Sequence, residues 1–172
     1  MIQTCGFRLT GIFLIWSGAA LMCGCAYSFT GASVPPHLST IAIPLVDDQS
    51  GYGEPGLRES FTLQLNDLFL NDNSYQITDK SSADAVLEGV ITRVTDAPAA
   101  VGGEEQVRTR RVTVTVRFKF EDKKLRKSVW EKTFSNWGDY TSLTAQSQVR
   151  AGLEEAMRRV SEDVLLETVS GW

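Results

Sequence analysis

Few of the side chains that commonly do chemistry are placed to do it here. His37 is the single histidine of 172 residues, and Cys5, Cys23 and Cys25 are the three cysteines. Ser-His-Asp and Cys-His arrangements need an imidazole held by a rigid element, and His37 follows Pro35-Pro36 in a stretch with no regular pattern. Zinc takes about four clustered nitrogen and sulfur ligands, and from residue 25 onward, the mature chain expected after signal removal, only Cys25 and His37 are left. The carboxylate pairs Asp47-Asp48, Glu104-Glu105 and Glu154-Glu155 are neighbours in sequence. Adjacent residues point apart on a helix or strand, so these read as solvated surface. Gly51-Tyr52-Gly53 and Gly102-Gly103 lack the Lys-Ser/Thr of a phosphate loop. The expectation is a protein without catalysis, metal or cofactor.

The cations are more suggestive. Arg108, Arg110 and Arg111 open a long strand pattern, and Lys123, Lys124, Arg126 and Lys127 cluster at its far end, with Lys119 nearby. Such groups dock anionic phosphates through charge-assisted hydrogen bonds. They equally guard exposed strand edges and turns against aggregation. Trp130 and Trp137 are seven residues apart on one strand pattern and so point to opposite faces. One belongs to the core, and the other is a candidate partner contact. The candidate contact set is Arg108, Arg110, Arg111, Lys123, Lys124 and Trp137. A net charge of −4 and a pI near 5.1 argue against nucleic acid as the partner.

The elements that must position these residues follow from periodicity. Residues 40–46 are β-branched and apolar, a strand that Pro44 pushes toward a sheet edge. After Glu54-Pro55-Gly56, Leu57, Phe61, Leu65, Leu68 and Phe69 recur at helical steps until Asn71-Asp72-Asn73. Residues 75–78 allow a short strand. Residues 83–95 read as a strand with Val86, Glu88, Val90 and Thr92 on one side and Leu87, Gly89, Ile91 and Arg93 on the other. In residues 107–121, Val112, Val114, Val116, Phe118 and Phe120 alternate with Thr113, Thr115, Arg117, Lys119 and Glu121. That alternation requires one buried and one wet face, hence antiparallel pairing. Asp122-Lys123-Lys124 turns the chain into a paired strand, 127–137. Ser142 or Thr144 can cap a last helix with the stripe Val149, Leu153, Met157, Val160 and Val164. The economical packing is an α+β two-layer sandwich, with two helices on one face of a mostly antiparallel, mixed four-stranded sheet.

The N-terminus reads as an address. Arg8 precedes an apolar run, residues 9–22, that is short for a bilayer span of about 20 residues. A basic start, a short apolar run and small residues before a cut describe a secretory signal peptide. Leu21-Met22-Cys23-Gly24-Cys25-Ala26 resembles a bacterial lipobox, in which Cys25 is acylated and the signal removed. Cutting nearby without acylation would leave a free thiol in an oxidising compartment. The expected organisation is a signal peptide over 1–24, a lipidated leader over 25–38 and a sandwich domain over 39–172.

The whole mature chain resembles the lipopolysaccharide-assembly lipoprotein family LptE. The resemblance rests on Cys25-Ala26-Tyr27-Ser28-Phe29-Thr30-Gly31, Val34-Pro35-Pro36-His37-Leu38 and Thr40-Ile41-Ala42-Ile43-Pro44. It continues through Glu54-Pro55-Gly56-Leu57, Ala83-Asp84-Ala85-Val86-Leu87-Glu88-Gly89 and Val129-Trp130-Glu131. It implies a non-enzymatic lipoprotein, anchored through Cys25 on the periplasmic face of the outer membrane, that plugs an LptD-like β-barrel and helps insert lipopolysaccharide into the outer leaflet. It also implies direct lipopolysaccharide contact through basic loops. Here residues 99–105 and 138–144 are neutral to acidic, which leaves Arg108, Arg110 and Arg111 to supply that contact. Residues 41–44 also resemble CsgG-like and TolB-like modules, an alternative envelope-assembly role that predicts rings or peptidoglycan partners.

Overall fold

The computed structural model describes residues 34–99, 109–141 and 145–170. Three long antiparallel strands form its frame: β4 (Ala85–Pro98), β5 (Thr109–Asp122) and β6 (Lys127–Thr141). The shorter elements are β1 (Thr40–Ala42), β2 (Asp47–Asp48) and β3 (Gln76–Ile77). Helix α1 spans Leu57–Asp72 and α2 spans Ala145–Ser170. The strand order is β3-β1-β4-β5-β6, and β2 also pairs with β4. β1 lies parallel to both β3 and β4, so the sheet is mixed.

The sheet has six strands, not the expected four. Pro44 explains one of the additions. With no N–H to give a ladder, it falls in the gap between β1 and β2. Ala42 faces Val86 and Asp47 faces Val90, so this side carries one more residue than β4 over the same interval. The other addition is β3, held by the N–H of Gln76 to the Ser39 carbonyl and that of Thr78 to the Ile41 carbonyl.

Both helices cover one sheet face. α1 starts after Gly56, whose φ of 76° suits glycine, and stops at Asn73, whose N–H returns to the Phe69 carbonyl. It buries Leu57, Phe61, Leu65 and Phe69, while α2 buries Leu153, Met157, Val160 and Val164. These meet Val112, Val114, Val116, Phe118 and Phe120 of β5, all fully buried. Phe61 and Phe118 pack edge to face at 6.1 Å, and Phe120 stacks near Trp130 at 5.7 Å. The alternate residues of β5, Thr113, Thr115, Arg117, Lys119 and Glu121, face away from the helices.

One strand departs from simple alternation. Ile91 pairs with Val116 and Arg93 with Thr115, leaving Thr92 as an extra residue whose hydroxyl donates to the Thr115 carbonyl. This bulge reverses the faces of everything after it. Arg93, expected beside Leu87 and Ile91, is exposed instead, and Val94 packs against the core.

Candidate functional site

The sequence-predicted contact residues separate into two groups at opposite ends of β5. Arg110, Arg111 and Trp137 gather where β5 begins and β6 ends, and Lys123 and Lys124 lie in the turn between them. Arg111 and Lys123 are twelve residues apart on one strand path, about 40 Å at ~3.4 Å per residue. One ligand headgroup cannot touch both ends. Arg108 and Cys25 lie outside the described residues.

At the first end the guanidinium of Arg110 donates to Asp96 Oδ1 and to the Tyr140 hydroxyl, each at 3.0 Å. Tyr140 donates to the other Asp96 oxygen at 2.6 Å. The post-bulge register makes this triad, because it turns Asp96 to the same face as Arg110 and Tyr140. Burial, and then the bond to Asp96, pushes the Tyr140 phenol up from its ordinary value. Arg111, on the opposite face, forks onto Asp139 at 2.7 and 2.9 Å. That fork holds the Asp139 carboxyl below its usual range.

Trp137 stands beside this fork. It is 39% exposed, with the Arg111 guanidinium 4.9 Å and that of Arg159 in α2 5.6 Å from its ring centre. Cation–π attraction of this kind fixes a ring that is otherwise open to solvent. Arg159 is in turn oriented by Glu155, which it shares with Arg158. The two tryptophans divide as their spacing requires, since Trp130 packs against the core. The first end is therefore an exposed indole flanked by two guanidinium groups, each already paired with a carboxylate.

The second end is a four-residue turn between Asp122 and Lys127. Asp122 is buried and accepts the Leu125 N–H at 2.8 Å and the His37 imidazole at 2.6 Å. Burial alone would raise its pKa, yet the Leu125 N–H and His37 hold it below the ordinary value. Lys124 donates to the His37 carbonyl at 2.6 Å and to Asp84 at 2.9 Å. Lys123 reaches the carbonyls of Lys80 and Ser81. Asp84 also accepts the N–H groups of Ser39 and Thr40. Both candidate lysines thus tie the turn to residues 37–40 and 80–84. His37, read from sequence as unsupported, is fixed by a residue 85 positions away. Leu38 beside it belongs to the core.

No group of three or more metal-ligating side chains occurs among the described residues. The half-open cleft between the start of α1 and α2 is about 160 Å³ and is bordered by the Glu54–Arg150 ion pair. A site of drug-sized ligands is normally about 300–1,000 Å³, so this gap does not make one. No helix of the described residues is long and apolar enough to cross a membrane.

The model of the lipopolysaccharide-assembly family LptE matches residues 38–168. The chain belongs to that family. The match takes in the Asp122 turn, the Arg110–Asp96–Tyr140 triad and Trp137, so both ends lie within the LptE-like region. No curated relative matches the sequence. Among solved structures, protein XCC0632 from Xanthomonas campestris is similar at TM-score 0.59 and 13% identity, with 80% of this chain and 90% of that one covered. Rare lipoprotein B from Shewanella oneidensis follows at 0.51 and 15%, covering 77% and 96%. A minor lipoprotein from Acinetobacter baumannii stands at 0.50 and 14%, covering 78% and 92%. At these identities the likeness is one of fold.

Proposed function

We propose that this LptE-family chain is a non-catalytic outer-membrane lipoprotein that plugs an LptD-like β-barrel and assists insertion of lipopolysaccharide into the outer leaflet. In this reading Cys25 carries the acyl chains, and the sandwich faces the periplasm. The observation that carries it is the family match over residues 38–168. The lipobox-like Gly24-Cys25-Ala26 and the fold shared with two proteins described as lipoproteins support the anchor.

The lipopolysaccharide contact in this proposal is the end bearing Arg110, Arg111 and Trp137, with Arg108 beside it. A guanidinium matches phosphate in two-pronged geometry, and a phosphate could compete with Asp139 for the Arg111 fork. Trp137 offers a flat apolar surface next to that charge. Lys123 and Lys124 at the other end act in this scheme by fixing the turn. The test is depletion of the chain in its native cell. Loss of surface lipopolysaccharide together with a misassembled large barrel supports the reading, and normal levels of both contradict it.

A further inference from the structure

The β5–β6 turn shows an unusual division of labour. In Lys123-Lys124-Leu125-Arg126-Lys127, Lys123 and Lys124 reach inward to carbonyls and to Asp84. Leu125 is 65% exposed at the tip. Arg126 and Lys127 are exposed as well, and neither side chain forms a hydrogen bond or ion pair among the described residues. Arg126 occupies a left-handed backbone position, φ 52°, that favours glycine or asparagine. A long cationic side chain is thus kept where the backbone prefers a small residue. Asp122, His37, Lys124 and Asp84 form a hydrogen-bonded base under the tip, so the apolar residue and two free cations project from a fixed mount.

The turn is also where the chain arrives from its N-terminus. Lys124 holds the His37 carbonyl, and His37 lies twelve positions after Cys25. An extended chain covers at most about 40 Å over that length. If Cys25 is acylated, the end of the sheet bearing the tip is kept within that reach of a bilayer.

We infer that Leu125, Arg126 and Lys127 form a second, non-covalent membrane contact that recognises anionic phospholipid. Leu125 enters the boundary between headgroups and acyl chains, and Arg126 and Lys127 meet lipid phosphates. Each contact alone is weak, but tethering by the acyl chains raises its effective concentration. The contact orients the sandwich, with β5 and β6 leading away from the bilayer toward Trp137. The reach argument rests on the lipoprotein reading, whereas the exposed leucine and free cations do not.

Hydrogen exchange of the full chain, processed in its native envelope and reconstituted in vesicles, tests this. Phosphatidylethanolamine vesicles with phosphatidylglycerol are compared with phosphatidylcholine vesicles. On the anionic vesicles, amides of residues 123–127 are expected to exchange at least ~5-fold more slowly. Leu125→Asp and the double change Arg126→Glu, Lys127→Glu remove that protection, while β5 and α2 amides keep theirs and report an intact fold. Vesicle-bound protein whose tip exchanges equally fast on both surfaces overturns the tip contact and leaves the lipid anchor standing. Protein that fails to sediment with either vesicle overturns both. Neither result bears on lipopolysaccharide insertion, which the depletion experiment reads separately.

Discussion

Gly138 of β6 and Gly152 of α2 meet backbone to backbone. A Cβ built on Gly138 would overlap the Gly152 carbonyl oxygen and stand 2.9 Å from its carbonyl carbon. The helix can lie this close to the edge strand because Gly138 carries no side chain. Gly138→Ala forces two main chains apart, and overpacking of this kind costs about 1–3 kcal/mol. The upper part of that range is expected, because backbone cannot rotate away. Gly152→Ala meets the movable side chains of Val112 and Tyr140 at 3.1 and 3.2 Å, so its effect should be smaller. Urea midpoints of the two variants check the order.

Deleting Thr92 tests the bulge. The deletion makes Ile91 and Arg93 neighbours, and plain alternation then keeps the faces that the bulge sets. Arg93 stays opposite Thr115 and exposed, Val94 stays on the core side, and Asp96 stays with Arg110 and Tyr140. A fold that still unfolds cooperatively is the expected outcome, and loss of cooperative unfolding would contradict this register. Thr92→Ala removes only the hydroxyl bond to Thr115 and should cost about 1 kcal/mol. Near-UV circular dichroism during thermal melts checks both.

Acid should destabilise the fold through identifiable carboxylates. Lys124, then the Ser39 N–H, holds Asp84 well below its ordinary 3.8. Arg158, then Arg159, brings Glu155 down to about 2, and Asp122 is also lowered. A carboxyl whose folded pKa lies below its unfolded one contributes stability that is complete above the unfolded value. That contribution is lost as pH falls through the folded value. The melting temperature should therefore hold down to about pH 5 and fall from about pH 4 downward. Asp84→Asn should melt lower at pH 6 and show a shallower acid decline.

Trp137→Ala should separate binding from folding. The ring is partly exposed and outside the core cluster, so the melting temperature should change little. Truncating an interface aromatic commonly costs ~2 kcal/mol, about a 30-fold loss of affinity. Titration against lipopolysaccharide micelles should show a loss of that order, and Trp130→Ala should fail instead by unfolding. Unchanged affinity in Trp137→Ala would remove that ring from the proposed contact.

The core was legible because its signals are local. Val112 to Phe120 alternate without a break, and Leu57, Phe61, Leu65 and Phe69 keep a helical step, so burial follows from period alone. What the sequence hides depends on residues far apart. Thr92 looks like any outward strand residue, and only the partner strand reveals that it is extra. Pro44 announced an irregularity, but not that the strand resumes at Asp47. The partners of His37, Lys123 and Lys124 lie 40 to 87 residues away. Composition shows a basic turn there, and only the fold shows that Arg126 and Lys127 are its free cations.

Copurification tests the central claim most directly. The full chain, tagged at its C-terminus and solubilised in mild detergent from its native envelope, should bring down a large outer-membrane β-barrel in near-equal amount, visible by native mass. A chain recovered alone, or as a ring of its own copies, would contradict the account.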